Sequence, residues 1–212
     1  MQYILIFILA VCIGIVSLRY AEFKLKLKHK VLSLRTTGFI VISIVLVFGL
    51  YLTRGMDILF YIYSVTSGIL LSLSYVDYKS FEIPPEYNIA IGILGLFRLI
   101  LDYEHWYVYI IGACLVSGIF LLIQIASKGK GMGGGDIKLM AAAGLLLGWQ
   151  KIFFVMAIGS ILGALIHGII MKVSKKDSML SFGPYLAVAA YIMMTFGDGI
   201  LSWYIRYFFS IE

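Results

Sequence analysis

The stretch SKGKGMGGGDIK, Ser127 to Lys138, places five glycines (Gly129, Gly131, Gly133, Gly134, Gly135) directly before one carboxylate, Asp136. Apolar runs flank it, 106–126 before and 137–149 after. A bilayer core of about 30 Å takes roughly 20 apolar residues per helix, so the run after the glycines is too short to cross comfortably alone. A helix starting near Asp136 is therefore expected to hold its N-terminal end in a protein-lined, water-accessible recess. Reading outward, further apolar runs fall at 2–18, 37–53, 58–76, 86–101, 152–171 and 180–197, which makes eight. The expected fold class is all-α: a polytopic integral membrane protein of about eight transmembrane helices, N-terminus outside, in a single membrane-embedded domain over 1–212.

Composition points the same way. The chain is 62% hydrophobic and 13% charged, with a mean hydropathy of +1.01, far from the balance of a soluble domain. The net charge of +6 would suggest nucleic acid in a soluble protein. Here the basic residues gather in a few loops between apolar runs, the pattern of membrane topology, and no nucleic-acid partner is expected. Cys12 and Cys114 each lie inside an apolar run, far apart, so neither a disulfide framework nor a zinc site is indicated. Residues 2–18 lack a basic leader and a small-residue cleavage site, which favours a retained helix over a secretory signal.

The loops set the orientation. If the first loop (Arg19, Lys24, Lys26, Lys28, Lys30, Arg35) is cytoplasmic, alternation puts Lys79, Lys128, Lys130, Lys138, Lys172, Lys175 and Lys176 on the same side. Thirteen of the seventeen basic residues are then inside, and Arg54, Arg98, Lys151 and Arg206 outside. Asp77 and Asp136 share the cytoplasmic face of the plasma membrane in this arrangement. The strip 19–36 alternates basic and apolar residues, as an anchor to anionic lipid does. The aromatic tail after Gly199 is expected along the outer interface.

Asp77 lies in YVDYKSFEIPPE, residues 75–86, at the end of an apolar run, and Pro84 and Pro85 block any continuing helix. A carboxylate there costs free energy unless paired, hydrated or protonated. Taken alone, Asp77 also reads as an interface marker paired with Lys79. For Asp136 the glycines permit positive φ and the close approach of an extended peptide, and the helix that follows offers its positive dipole end. Taken alone, the same string reads equally as a loop closed by an N-cap aspartate. A phosphate cradle lacks support, since the Walker spacing is missing and no strand precedes it. Taken together, two carboxylates about 3 Å apart at one face share a proton, because both cannot ionise. One then acts as base toward water and the other as acid toward the scissile carbonyl, without metal, serine or cysteine. Which of them holds the proton is not assigned, since the pair titrates as a unit.

GGGDIKL, Gly133 to Leu139, resembles the GxGD motif of the type IV prepilin peptidases, membrane aspartic proteases distantly similar in this motif to presenilin. DYKSFEIP, Asp77 to Pro84, resembles that family's first catalytic stretch, where an aspartate and a basic residue two positions on precede an Ile-Pro pair. FGPYLAV, Phe182 to Val188, is similar to its last-helix motif. The resemblance spans roughly 58–197. It implies a membrane peptidase that removes the short basic leader of type IV prepilin or pseudopilin precursors at the cytoplasmic face. It also implies that Asp77 and Asp136 are catalytic, that Lys79 and Lys138 are supporting charges, and that Gly133 and Gly135 are the motif glycines. Glu82 and Glu86 are open to two readings, contact with the basic leader or solvated loop charge.

Larger members of that family carry two CxxC pairs between the first two helices and also methylate the new N-terminus with S-adenosylmethionine. The corresponding loop here has no cysteine and under twenty residues. A minimal, peptidase-only form is expected, with no metal and no cofactor; S-adenosylmethionine would enter only with a retained methyltransferase activity. The expected partners are the precursor peptide and membrane lipid, and the sequence does not fix substrate identity or oligomeric state. The rivals are a protease of the same chemistry with another substrate, such as preflagellin, a proton-coupled transporter using the aspartate pair as a relay, and a non-catalytic assembly subunit.

Overall fold

The computed structural model describes residues 2–27, 34–129, 132–174 and 181–209. They form eight α-helices: α1 (Gln2–Lys24), α2 (Leu34–Arg54), α3 (Ile58–Ser80), α4 (Pro85–Leu101), α5 (Trp106–Ala126), α6 (Gly134–Leu147), α7 (Trp149–Ser174) and α8 (Gly183–Phe209). One turn of 3-10 helix, Tyr103–His105, leads into α5. The chain is an all-α polytopic membrane protein. Six helices (α1, α2, α3, α5, α7 and α8) are long and apolar enough to cross a bilayer. The other two, α4 at 17 residues and α6 at 14, are shorter.

Local chemistry sets the boundaries. The Asp57 side chain accepts the Phe60 N–H at 2.6 Å and caps α3. At the other end α3 runs past Asp77 to Ser80, where Phe81 turns left-handed at φ 56° and returns its N–H to the Asp77 carbonyl. Asp77 thus sits in the last turn of the helix, where the sequence placed it at the end. Pro85 then opens α4 from N1, the one helical position where its missing N–H is not needed. The tail after Gly199 continues α8 to Phe209.

α3 is the central helix: 56% of its most apolar window is buried, against 22–44% for the other five spans. Around it, α1, α2 and α3 pack as one triplet and α4, α5 and α6 as another, with α8 laid on α3, α7 on α5, and α7 and α8 paired. The short α6 fits between α4 and α5 because the backbones approach closely. A Cβ on Gly112 of α5 would stand 2.5 Å from the Gly144 carbonyl oxygen of α6, and one on Gly95 of α4 would stand 3.0 Å from the Leu146 nitrogen. Eight of the fourteen α6 residues are buried, so this half-length helix is held largely by protein contacts. Outward-facing Leu5, Ile8, Val45, Leu96, Leu122 and Ile169 are exposed apolar side chains, as lipid-facing surfaces require.

The ends of the bundle differ in chemistry. At one end lie the last turn of α3 and the first turns of α4, α6 and α8. At the other, Asp198 of α8 accepts from Arg54 of α2 at 2.7 Å and from Lys151 of α7 at 2.6 Å. Nearby, Asp102 accepts from Tyr109 at 2.5 Å and pairs with Arg98 at 3.2 Å.

Candidate active site

Asp77 is 4% exposed, and two donors hold it. The Ser181 hydroxyl reaches its Oδ2 at 2.6 Å and the Gly183 N–H reaches the same oxygen at 2.9 Å. Gly183 is the first residue of α8, and its amide is one of the N–H groups that a helix start leaves without an intrahelical partner. A carboxylate placed there satisfies the amide and lies at the positive end of the helix dipole. Glycine is needed at this position, since a Cβ would stand 2.7 Å from Asp77 Oδ2. The FGP triplet therefore serves to hold Asp77. Its residues carried no sign of their partner in the sequence, and Ser181 just before it carried no signal at all.

Asp136 is 8% exposed and lies in the first turn of α6, which begins at Gly134 with Gly133 as N-cap. The sequence placed the helix start, and an N-cap role, at Asp136 itself. The aspartate is instead three residues past the cap, the position from which an acidic side chain reaches back to the N-cap backbone. The Gly133 backbone hydrogen-bonds it, and a Cβ on Gly133 would fall 2.8 Å from its Oδ2. Its Oδ1 is buried without a hydrogen-bond partner.

The glycines work by close packing more than by unusual backbone angles. Gly133 is extended at φ −74°, and among the described residues of the stretch only Lys128, at 53°, and Gly129, at 80°, have positive φ. Gly135 is where the two aspartate stretches meet. A Cβ on it would stand 2.9 Å from the Cβ of Ile83, and its carbonyl accepts the Asn88 side-chain N–H at 3.4 Å. Lys130 and Gly131 lie outside the described residues, as do Lys28, His29, Lys30, Lys175 and Lys176.

Asp77 and Asp136 interact through their charges. No hydrogen bond joins them, and the α3 and α6 backbones do not pack on each other directly. The pair spans the junction between the two helix triplets. Lys79 and Lys138 are exposed, and neither forms an ion pair with a carboxylate among the described residues; Lys79 Nζ lies 5.3 Å over the Tyr78 ring. Glu86 is engaged by Lys24 at 2.5 Å, while Glu82 is exposed. Among the described residues no three His, Cys, Asp or Glu side chains cluster as metal ligands.

Two carboxylates that are buried at one end of the bundle, one of them held by donors and the other short of one, have the unlike environments that an acid and base pair requires. A family model described as the type IV leader peptidase family matches residues 64–168, which carry both of them. The chain belongs to this family. Similar leader peptidase family proteins include the prepilin leader peptidase/N-methyltransferase of Aeromonas salmonicida, 31% identical over 144 residues, 65% of this chain and 50% of that one. The protein of the same description from Legionella pneumophila is 34% identical over 149 residues, 66% and 51% of the two chains. That from Bacillus subtilis is 34% identical over 117 residues, 53% and 46%. The chain spans about half the length of the curated relatives it matches. No solved structure matches it.

Proposed function

We propose that the chain is a membrane aspartic endopeptidase that cleaves the leader peptide from type IV prepilin or pseudopilin-like precursors, with Asp77 and Asp136 as its catalytic pair. The observation that carries this reading is the burial of both carboxylates within each other's field at one end of the bundle, beside the Ile83–Gly135 contact. Water and a scissile peptide must enter between such a pair, which suits carboxylates that are not already bonded to each other. One carboxylate takes a proton from water as its oxygen attacks the carbonyl carbon, and the other gives a proton to the carbonyl oxygen. Collapse of the diol breaks the C–N bond, with the first carboxyl protonating the leaving amine and a diol hydroxyl returning its proton to the second.

Alternation of the apolar runs in the sequence puts thirteen of the seventeen basic residues on the side of Asp77 and Asp136, which supports a cytoplasmic active site in the plasma membrane, eight crossings and an outside N-terminus. Gly133 and Gly135 shape the site by close packing. The exposure of Lys79 and Lys138 suits contact with substrate or lipid headgroups more than support of the carboxylates. The relatives are named as N-methyltransferases as well as peptidases; for this chain the reading is peptidase alone, since its first inter-helix loop holds no cysteine.

The test is co-expression with a prepilin precursor and mass measurement of the precursor's N-terminus, which reads cleavage and methylation together. Asp77→Asn and Asp136→Asn, made separately, are each expected to abolish cleavage while inserting normally into the membrane. Normal processing by either variant, or proton-coupled solute uptake in vesicles with no cleavage, would overturn the reading.

A further inference from the structure

We propose that Ser181 and the Gly183 amide fix Asp77 as the ionised, base-acting carboxylate of the pair, and so leave Asp136 to hold the proton and act as the acid. The assignment rests on the aspartic peptidase reading above and divides the roles within it.

The two environments are opposite in kind. Asp77 Oδ2 accepts two hydrogen bonds, from a hydroxyl at 2.6 Å and from a helix-terminal amide at 2.9 Å. Both donors favour the charged form, and so does the dipole of the 27-residue α8 behind the amide. Because both fall on Oδ2, Oδ1 accepts no hydrogen bond from a described residue and is the oxygen with a lone pair to offer a water proton. Asp136 is as deeply buried, but its Oδ1 has no partner and its nearest charge is the like charge of Asp77. An ionised carboxylate left unsatisfied in a low-dielectric site beside another carboxylate is costly, whereas a protonated one is not.

The other ionisable groups around Asp77 do not reverse this. Lys79 and Tyr78 on α3, Lys138 on α6 and Arg35 at the start of α2 are exposed, and Tyr185 on α8 is partly buried; on α1 and α4 the charges are paired among themselves, Arg19 with the buried Glu22 at 3.5 Å and Lys24 with Glu86 at 2.5 Å. None of them hydrogen-bonds to Asp77. Ser181 is thus a positioning residue, acting on substrate only through Asp77. In the water-attack step the proton leaves water for Asp77 Oδ1 as the new C–O bond forms, and the Asp136 proton passes to the carbonyl oxygen.

The test is Ser181→Ala, with Ser181→Thr as the conservative partner that keeps the hydroxyl. Removing one donor to the charged form is expected to move the acid limb of the pH–kcat profile up by about one unit and to lower kcat about tenfold at neutral pH, with KM unchanged. Ser181→Thr is expected to restore both. An unchanged profile in Ser181→Ala would reduce Ser181 to a structural role, and a shift of the basic limb instead would exchange the two roles; either result overturns the proposal. A second measurement needs no substrate: the infrared carboxylate stretch that Asp77→Asn removes, in purified protein at neutral pH. Loss of the Ser181 hydrogen bond is expected to shift the frequency of that stretch in Ser181→Ala and not in Ser181→Thr. If that shift is present while the wild type cleaves no prepilin, the peptidase reading fails and the assignment of charge stands. If it is absent while cleavage is normal, the assignment alone fails.

Discussion

Ile83 and Gly135 occupy each other's only room: the Cβ of Ile83 stands 2.9 Å from where a Cβ on residue 135 would be built. This contact ties the turn after α3 to the turn before α6, and it couples the two aspartate stretches through backbone and side chain together. Gly135→Ala is expected to cost about 1–3 kcal/mol of overpacking and to lower cleavage with it. Ile83→Gly in the same chain removes the clashing carbon and is expected to recover most of the loss, read as thermal unfolding in detergent and as precursor processing. A double variant no better than the single one would show that the glycine serves some other purpose.

Gly183 presents a different steric case, because the neighbour of its missing Cβ is the Asp77 carboxylate, 2.7 Å away. Gly183→Ala is expected to push Asp77 out of place and reduce kcat about 100-fold, the scale of a misplaced catalytic group, with little change in membrane insertion. Precursor processing at matched expression checks this, and near-normal turnover would dissociate α8 from the chemistry.

At the far end of the bundle, Arg54 and Lys151 have side chains only 10% and 13% exposed, and both rely on Asp198. Asp198→Asn leaves two largely buried cations without their carboxylate. The expected cost is about 1–2 kcal/mol, below the 3–5 of a fully buried pair, because Asp198 itself is 66% exposed and screened by solvent. A lowered unfolding midpoint in detergent, with cleavage retained at low temperature, is the expected outcome.

Asp102, in the turn between α4 and α5, is held below the usual carboxylate range first by the Tyr109 hydrogen bond, then by His105, with Arg98 adding a smaller charge effect against the cost of burial. A carboxylate lowered in the folded state contributes stability above its unfolded value, 3.8, and loses it as pH falls through the folded value. The unfolding midpoint is expected to drop on acidification below about pH 4, and to drop less in Asp102→Asn. Equal acid sensitivity in the two proteins would remove Asp102 from the account.

The number and order of helices were legible because apolar runs of bilayer length, separated by charged or glycine-rich breaks, leave few alternatives. That Asp77 and Asp136 lie at one end of the bundle was legible from the alternation of the apolar runs. Helix boundaries near the site were less so: glycines at 133–135 argue against helix by propensity, yet packing of α6 between α4 and α5 starts the helix at Gly134. The donors to Asp77 were hidden for a plainer reason. Ser181 and Gly183 lie more than a hundred residues along the chain, and a serine and a glycine at a helix start have many uses. The Asp198 cluster was hidden likewise, since its three members lie on α2, α7 and α8 and pair only after the helices assemble.

The capping of Asp77 by the first turn of α8 also sets an order in time. Synthesis delivers Asp77 first and Asp136 next, and the ribosome has made both carboxylates before it reaches Ser181 and Gly183. Until then α3 holds an aspartate with no amide to settle it, and the bundle lacks the helix that lies on α3. On the roles proposed above, a nascent or truncated chain that stops before α8 carries both acids and no base held ready. α8 is then the helix that arms the aspartate of α3, and the proposed protease stays idle until α8 has joined the bundle.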